Sequence, residues 1–156
     1  MAIRSIRTEG DEILKKKSKK VEVIDDKIRE LVADMIETLH KYDGVGLAAV
    51  QVGILKQIVV IHEGEEKPIY VLINPEVINK SGKQIVEEGC LSFPNKFAKI
   101  ERPEKISIRA LDEHGKKFEL TGSGLLAQAI SHELDHLNGE VFIEKIIPGT
   151  LEVVKQ

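Results

Sequence analysis

The fold is constrained most by a predicted helix, residues 122–138, whose apolar face also carries three polar side chains. Its apolar positions recur at helical spacing: Leu125, Leu126, Ala129, Ile130 and Leu137. His132, Glu133 and His136 fall on this same inward face. Because burying unpaired polar groups is costly, something must satisfy all three. A bound metal ion would do so.

Residues 132–136 read HELDH, which is an H-E-x-x-H motif. A spacing of four places both imidazoles one turn apart on one face, where they can reach the same ion. Glu133 then lies beside the open position of the ion, as a base for water. The alternative is an ordinary polar network of two histidines and a carboxylate. The placement on an apolar face favours the metal.

A catalytic ion held in this way needs a third protein ligand. The metzincin extension of the motif would place a histidine where this chain has Phe142. A thermolysin-like site takes a glutamate well downstream, and only Glu144 and Glu152 follow the motif. We expect the remaining histidines to be surface or turn residues: His40, His62 and His114. Cys90 is left, and a thiolate beside two imidazoles suits Zn²⁺ or Fe²⁺.

Net charge and cysteine content indicate which binding partners and which cellular compartment to expect. A net charge of -3 over 156 residues argues against nucleic-acid or membrane binding driven by bulk charge. With Cys90 as the single cysteine, no intramolecular disulfide can form. Residues 1–7 lack a long apolar run, so we expect no secretory signal, no membrane span and a cytoplasmic location. No repeat or linker is visible, so we expect one domain over residues 1–156.

The remaining patterns predict one more helix and several strands. Helical spacing runs over residues 25–42, with Asp25 or Asp26 as cap. Strands are predicted at 57–62, 68–73, 77–78, 84–87, 105–111 and 117–120. We expect Thr121 to cap the motif helix and Gly139 to take the left-handed conformation after it. This order predicts an α+β fold, with antiparallel sheets packed around the helix that carries the motif.

A glycine-containing segment, residues 44–51, follows the first helix. Gly44 and Gly46 permit close backbone packing, but the segment lacks the pattern of a phosphate-binding loop. The side-chain amide of Gln51 is able to donate to an oxyanion that develops during a reaction. Gly89 likewise gives room for close approach beside Cys90.

Three blocks follow one another along the chain: residues 44–51 (GVGLAAVQ), 88–92 (EGCLS) and 132–136 (HELDH). Their order and spacing resemble the peptide deformylase family, and the resemblance spans nearly the whole chain. Shorter similar stretches lie at residues 73–75, 109–112 and 137–139.

The resemblance implies a metal-dependent hydrolase that removes the N-terminal formyl group from formyl-methionine of newly synthesised polypeptides and releases formate. The metal ligands would be Cys90, His132 and His136. Glu133 would act as general base and acid. Gln51 and the backbone N–H of Leu91 would hold the formyl oxygen as its charge grows.

The resemblance also implies where the substrate binds. Four residues would line a cleft in which the peptide pairs as an added strand: Val45, Gly46, Gly89 and Leu91. Leu125, Ala129 and His132 would border the pocket for the methionine side chain. Arg102 stands where the family often has arginine, with Asp135 as a candidate partner.

Cofactor and partners follow from the same resemblance. Fe²⁺ is the expected ion, with Zn²⁺, Ni²⁺ or Co²⁺ as substitutes. The partners would be formyl-methionyl nascent polypeptides, with the ribosome as a further candidate. Many family members carry a C-terminal helix implicated in ribosome contact. Here only a short stretch follows Phe142, and Pro148-Gly149 interrupts it, so docking by that route is not expected.

Two alternatives remain at this stage. Another metallo-amidase or metallopeptidase could use the same cysteine and histidine ligands. A purely structural metal is the second alternative, but a closed structural site takes four protein ligands. Three ligands and an uncommitted glutamate favour an open, catalytic site.

Overall fold

The computed structural model describes residues 2–155, which form two helices and eight strands. The helices are α1 (Asp26–Lys41) and α2 (Leu125–Leu137). The strands are β1 (Gly46–Ala48), β2 (Ile58–His62), β3 (Ile69–Ser81), β4 (Gln84–Cys90), β5 (Phe93–Arg102), β6 (Lys105–Leu111), β7 (Lys117–Ser123) and β8 (Glu152–Val153). Short 3-10 helices lie at Glu12–Lys15, Ala49–Val52 and Phe142–Glu144.

Helix α1 forms where the sequence predicts it. The carboxylate of Asp25 caps the first turn by accepting a hydrogen bond from the backbone N–H of Ile28, at 3.1 Å. The apolar stripe of the helix packs onto one face of a sheet, with Leu31, Met35 and Leu39 among its buried residues. Burial of this stripe holds the helix in place.

Five antiparallel strands form the larger sheet, in the order β1-β2-β3-β6-β7. Strand β2 is buried on both faces. Ile58 and Val60 belong to the core under α1, whereas Val59 and Ile61 belong to the core under α2. The two helices therefore cover opposite faces of this sheet.

Helix α2 begins later than the sequence pattern suggests. Strand β7 continues through Thr121 to Ser123, so the prediction that Thr121 caps the helix is wrong. The chain turns at Gly124, where φ is 58°, and the carbonyl of Gly124 accepts a hydrogen bond from the Gln84 side chain at 2.9 Å. After the helix, Gly139 has φ 75°, which confirms the predicted left-handed residue.

The smaller sheet has three antiparallel strands, in the order β4-β5-β8. Its buried side chains form a separate core with the segments that flank the sheet: Leu14, Phe93, Ala98, Ile100, Val141 and Phe142. The sequence patterns do not predict strand β5, and the two predicted strands at 68–73 and 77–78 are one strand, β3. Irregular pairing near Asn74, whose φ is 52°, lets β3 continue past Pro75.

Helix α2 contacts both sheets. Its apolar face packs on the larger sheet, and Gln128 donates a hydrogen bond to the backbone carbonyl of Glu87 in the smaller sheet, at 3.1 Å. The α+β class, with antiparallel sheets around this helix, is confirmed. Within residues 2–155, every helix is too short or too polar to cross a membrane.

Candidate metal centre

The end of β4 meets one face of α2 at three side chains that are far apart in sequence. Sγ of Cys90 lies 3.3 Å from Nε2 of His136. One ligand atom from each of Cys90, His132 and His136 lies within 4.8 Å of the others. His132 and His136 are buried, and their rings pack edge to face with centroids 4.9 Å apart. A single divalent ion can therefore reach all three.

The orientation of His132 is set by Glu88. Nδ1 of His132 donates to Oε2 of Glu88 at 2.6 Å, so Nε2 is the nitrogen that faces away from Glu88 and would bind an ion. Burial raises the pKa of Glu88, but the hydrogen bonds from His132 and Arg102 outweigh it and lower the pKa to about 2. The carboxylate therefore stays ionised, keeps a proton on Nδ1 and fixes the orientation of the imidazole.

Buried charge continues beyond Glu88. The guanidinium of Arg102 donates to both oxygens of Glu88, at 3.0 and 2.5 Å, and to Oδ2 of Asp135, at 2.7 Å. The predicted contact between Arg102 and Asp135 is thus present. Lys145 contacts the other oxygen of Asp135 at 3.1 Å. A chain of ion pairs runs from the surface at Lys145 to the imidazole of His132.

Glu133 lies next to the ligand cluster. Its Oε2 is 4.0 Å from Nε2 of His132, and its Oε1 is buried with no hydrogen-bond partner among residues 2–155. Burial raises the pKa of Glu133 to about 7, against the opposing charge of His132. A carboxyl group with this pKa can both accept and donate a proton near neutral pH.

The ionisation of the two histidines differs. Burial lowers the pKa of His136 well below its ordinary value, so this imidazole is neutral. Burial also lowers the pKa of His132, but the interactions with Glu133, Cys90 and Glu88 outweigh burial and raise the pKa well above its ordinary value. Proton-free imidazole nitrogens are what a metal ion requires, so a cation must displace a proton from His132.

Gln51 lies against the thiol. Its Nε2 donates to the hydroxyl of Ser92 at 3.0 Å and lies 3.6 Å from Sγ of Cys90. Its Oε1 accepts from the backbone N–H of Ala48 at 2.9 Å, so the direction of the amide is fixed. Gln51 and Ser92 are both buried.

A cleft of about 740 Å³ opens over this cluster. It is lined by Cys90, His132 and Glu133 together with six other residues expected at the substrate, which are Val45, Gly46, Gly89, Leu91, Leu125 and Ala129. The open edges of both sheets, β1 and β4, contribute to its walls.

The other ligand candidates lie elsewhere. His40 and His62 form a pair that lies away from the cluster, with Nε2 of His40 2.9 Å from Nδ1 of His62. His114 is exposed. The carboxylate of Glu144 accepts from the N–H of Val141, and Glu152 is exposed on β8. Phe142 is buried with its ring centroid 5.9 Å from that of His132, so it packs against the site as an apolar wall.

Sequence reasoning missed two buried residues of this site, Glu88 and Ser92. Glu88 stands in the same block as Cys90, and it is the one buried carboxylate of β4 among the described residues. A buried acid in a strand two residues from a ligand was the available signal, since metal-bound histidines usually donate to a carboxylate or carbonyl.

Comparison with known proteins identifies the family. The model of the polypeptide deformylase family matches residues 3–151. Peptide deformylase 2 of Clostridium acetobutylicum is 52% identical over 147 residues, which cover 94% of this chain and 97% of the relative. Peptide deformylase of Alkaliphilus metalliredigens is 53% identical over 147 residues, which cover 94% and 99%.

Solved structures of peptide deformylases have the same fold as this chain. A peptide deformylase from Legionella pneumophila superposes with a TM-score of 0.91 at 43% identity, covering 94% of this chain and 88% of the other. One from Synechococcus elongatus, solved in complex with actinonin, gives 0.89 at 40% identity, covering 94% and 80%. This chain belongs to the polypeptide deformylase family.

Proposed function

We propose that this protein hydrolyses the formyl amide at the N-terminus of formyl-methionyl polypeptides and releases formate. One observation carries the proposal: a Cys/His/His cluster lies in a cleft beside a buried glutamate whose Oε1 has no partner among the described residues. The family membership and the names of the relatives support the same activity.

Cys90, His132 and His136 are the proposed ligands of the ion. The donor set fits a divalent ion, because the three ligand atoms converge and Nε2 of His132 faces away from its Glu88 contact. An ion held there would polarise the formyl carbonyl and activate water. We further propose Fe²⁺ as the native ion, which is the expectation from the family. Zn²⁺, Ni²⁺ or Co²⁺ are the proposed substitutes, because mixed sulfur and imidazole donors accept all of them.

Glu133 is the proposed proton carrier. Its carboxylate accepts a proton as water attacks the formyl carbon, and then gives the proton to the departing amine of the peptide. A pKa of about 7 suits both transfers. Such proton transfer typically contributes roughly 10²–10⁴-fold to the rate.

Gln51 and the backbone N–H of Leu91 are the proposed donors to the formyl oxygen. One N–H of the Gln51 amide donates to Ser92, and the second points to Sγ of Cys90, 3.6 Å away, from where it would turn to the formyl oxygen of the substrate. A donor of this kind is worth roughly 3 kcal/mol as negative charge grows on the oxygen. Both residues adjoin Cys90, so the oxygen would lie close to the ion.

The peptide is proposed to bind as an added strand between the open edges of β1 and β4. Val45 and Gly46 stand on one wall, and Gly89 and Leu91 on the other. Leu125, Ala129 and His132 would border the methionine side chain. Leu125 is about half exposed although it is apolar, as a residue at the mouth of a binding pocket can be.

The proposed setting is the cytoplasm, where nascent chains are made and where a lone thiol stays reduced. Ribosome contact through a C-terminal helix is not part of the proposal. In the region of residues 142–155, the described elements are a short 3-10 helix and the strand β8, which pairs with β5.

The decisive experiment compares formyl-Met-Ala-Ser with unformylated Met-Ala-Ser, with formate release and new amine as readouts. We expect turnover of the formylated peptide alone, lost when a chelator removes the ion and restored by Fe²⁺ under nitrogen. Glu133→Ala should keep its metal and its fold but lose turnover. Cleavage of internal bonds in the plain peptide would instead identify a metallopeptidase.

A further inference from the structure

The guanidinium of Arg102 joins the two elements that carry the proposed ligands. It is buried, with 5% of the side chain exposed. Nε and Nη2 donate to the two oxygens of Glu88 on β4, while Nη1 donates to Asp135 on α2. Arg102 itself lies at the end of β5, so its side chain links that strand to two further elements, β4 and α2.

The two contacted acids are close to the ligands in sequence. Glu88 lies two residues before Cys90 on the same face of β4, and Asp135 immediately precedes His136 on α2. A shift of either element relative to Arg102 would change the distance between Sγ of Cys90 and Nε2 of His136, which is 3.3 Å. The backbone pairing of β4 with β5 fixes only one side of this arrangement.

The charges favour this geometry only while the guanidinium is present. Glu88 and Asp135 are both acidic, and Glu88 is almost fully buried. The planar guanidinium donates to both oxygens of one carboxylate and still has an N–H for the second acid. A lysine ammonium at the same place does not provide this geometry. Lys145 and Glu140 extend the pairing to the surface on the Asp135 side.

We propose that Arg102 is a positioning residue that holds β4 against α2 at the spacing at which Cys90, His132 and His136 converge. Through Glu88 it also keeps the imidazole of His132 turned with Nε2 toward the ion. The inference rests on the proposed metal ligands but not on the identity of the substrate.

The test measures Co²⁺ affinity by chelator competition, and the hydrogen bond from Nδ1–H of His132 to Glu88 in the metal-free protein by ¹H–¹⁵N NMR. For Arg102→Ala we expect Co²⁺ binding weakened roughly 10–100-fold, the range typical of outer partners of metal ligands. We also expect loss of the hydrogen-bonded Nδ1–H signal of His132, because Glu88 loses the guanidinium that holds it in place. Arg109→Ala is the matched control, because Arg109 forms an exposed pair with Glu119 at 3.1 Å.

Chemical rescue separates positioning from general destabilisation. Millimolar guanidinium should restore Co²⁺ affinity in Arg102→Ala and leave the wild type and Arg109→Ala unchanged. If Arg102→Ala does not fold, Asp135→Asn carries the test, because it keeps the shape of the side chain and weakens one contact of the guanidinium. It should weaken Co²⁺ binding while leaving the Nδ1–H of His132 on Glu88.

Wild-type Co²⁺ affinity in folded Arg102→Ala, or in Asp135→Asn where that variant carries the test, would overturn the inference. So would an unchanged Nδ1–H signal of His132 in folded Arg102→Ala. Failure of the wild type to release formate would contradict the proposed function alone, because ion affinity and the Nδ1–H signal of His132 are measured without substrate.

Discussion

Gly46 presses its backbone against the carboxylate of Glu133. A Cβ atom at position 46 would lie 2.7 Å from Oε2 of Glu133 and 2.9 Å from its Cγ. Glycine is thus required on this wall of the cleft, because any side chain would enter the space of the proposed proton carrier.

Gly46→Ala should lower turnover of the formylated peptide, because the carboxylate must move away from its present position. A displacement of about 1 Å can cost roughly 10²-fold in rate. Ion content and thermal stability should change little, since the end of the Glu133 side chain is able to move. Gly64→Ala is the control, because no atom lies within 4 Å of a Cβ there. Equal turnover in both variants would show that the close approach of Gly46 to Glu133 does not matter for the reaction.

Cys90→Ser should weaken ion binding, because a neutral hydroxyl is a far poorer ligand than a thiolate. The loss should exceed the roughly 10–100-fold that removal of an outer partner costs. Chelator competition with Co²⁺ or Zn²⁺ measures it, and circular dichroism checks the fold. Unchanged ion content would remove Cys90 from the ligand set.

Asp34→Asn should reduce stability at neutral pH. Burial raises the pKa of Asp34, but hydrogen bonds from the backbone of Ala2 and from Arg4 outweigh it, so its pKa lies below the ordinary 3.8. A lowered pKa contributes stability that is present above pH 3.8 and is lost as pH falls through the lower folded-state value. The expected loss near pH 7 is about 2 kcal/mol.

Denaturant titrations of both proteins from pH 7 to pH 2 check the sign of this effect. The difference between Asp34→Asn and the wild type should shrink below about pH 4. A difference that stays constant down to pH 2 would mean that the charge of Asp34 is not responsible.

Gly139→Ala should lower the free energy of unfolding by more than the left-handed backbone conformation at this position explains. A Cβ there would lie 2.5 Å from the backbone oxygen of Lys15, which cannot easily move. Gly115→Ala is the matched control, since its φ of 81° is equally left-handed but the nearest atom is 3.9 Å away. The control should cost about 1–2 kcal/mol. Equal losses in the two variants, measured by denaturant unfolding, would show that the contact with Lys15 does not matter.

Local patterns are sufficient to predict α1 and to place the two histidines of the cluster on one helix face. The apolar stripe and the Asp25 cap place α1 to within a residue at each end. The helical spacing of His132 and His136 is enough by itself to put both imidazoles on one buried face. Both features depend on neighbours within one or two turns, which a sequence displays directly.

Features that depend on distant partners are harder to predict. Strand β5 has the inward residues Ala98, Ile100 and Arg102, and a buried arginine breaks the apolar pattern. The partner of Glu88 is His132, 44 residues away. Thr121 has the composition of a helix cap, but pairing with Ser107 keeps it in a strand.

Strand β2 supplies alternate side chains to two different cores, and this couples the halves of the molecule. Loosening α1 would expose Ile58 and Val60, and the same backbone positions Val59 and Ile61 under α2. We therefore expect α2, which carries His132, Glu133 and His136, to open together with the helix on the opposite face. In hydrogen exchange, the amides of α1, β2 and α2 should open as one cooperative unit.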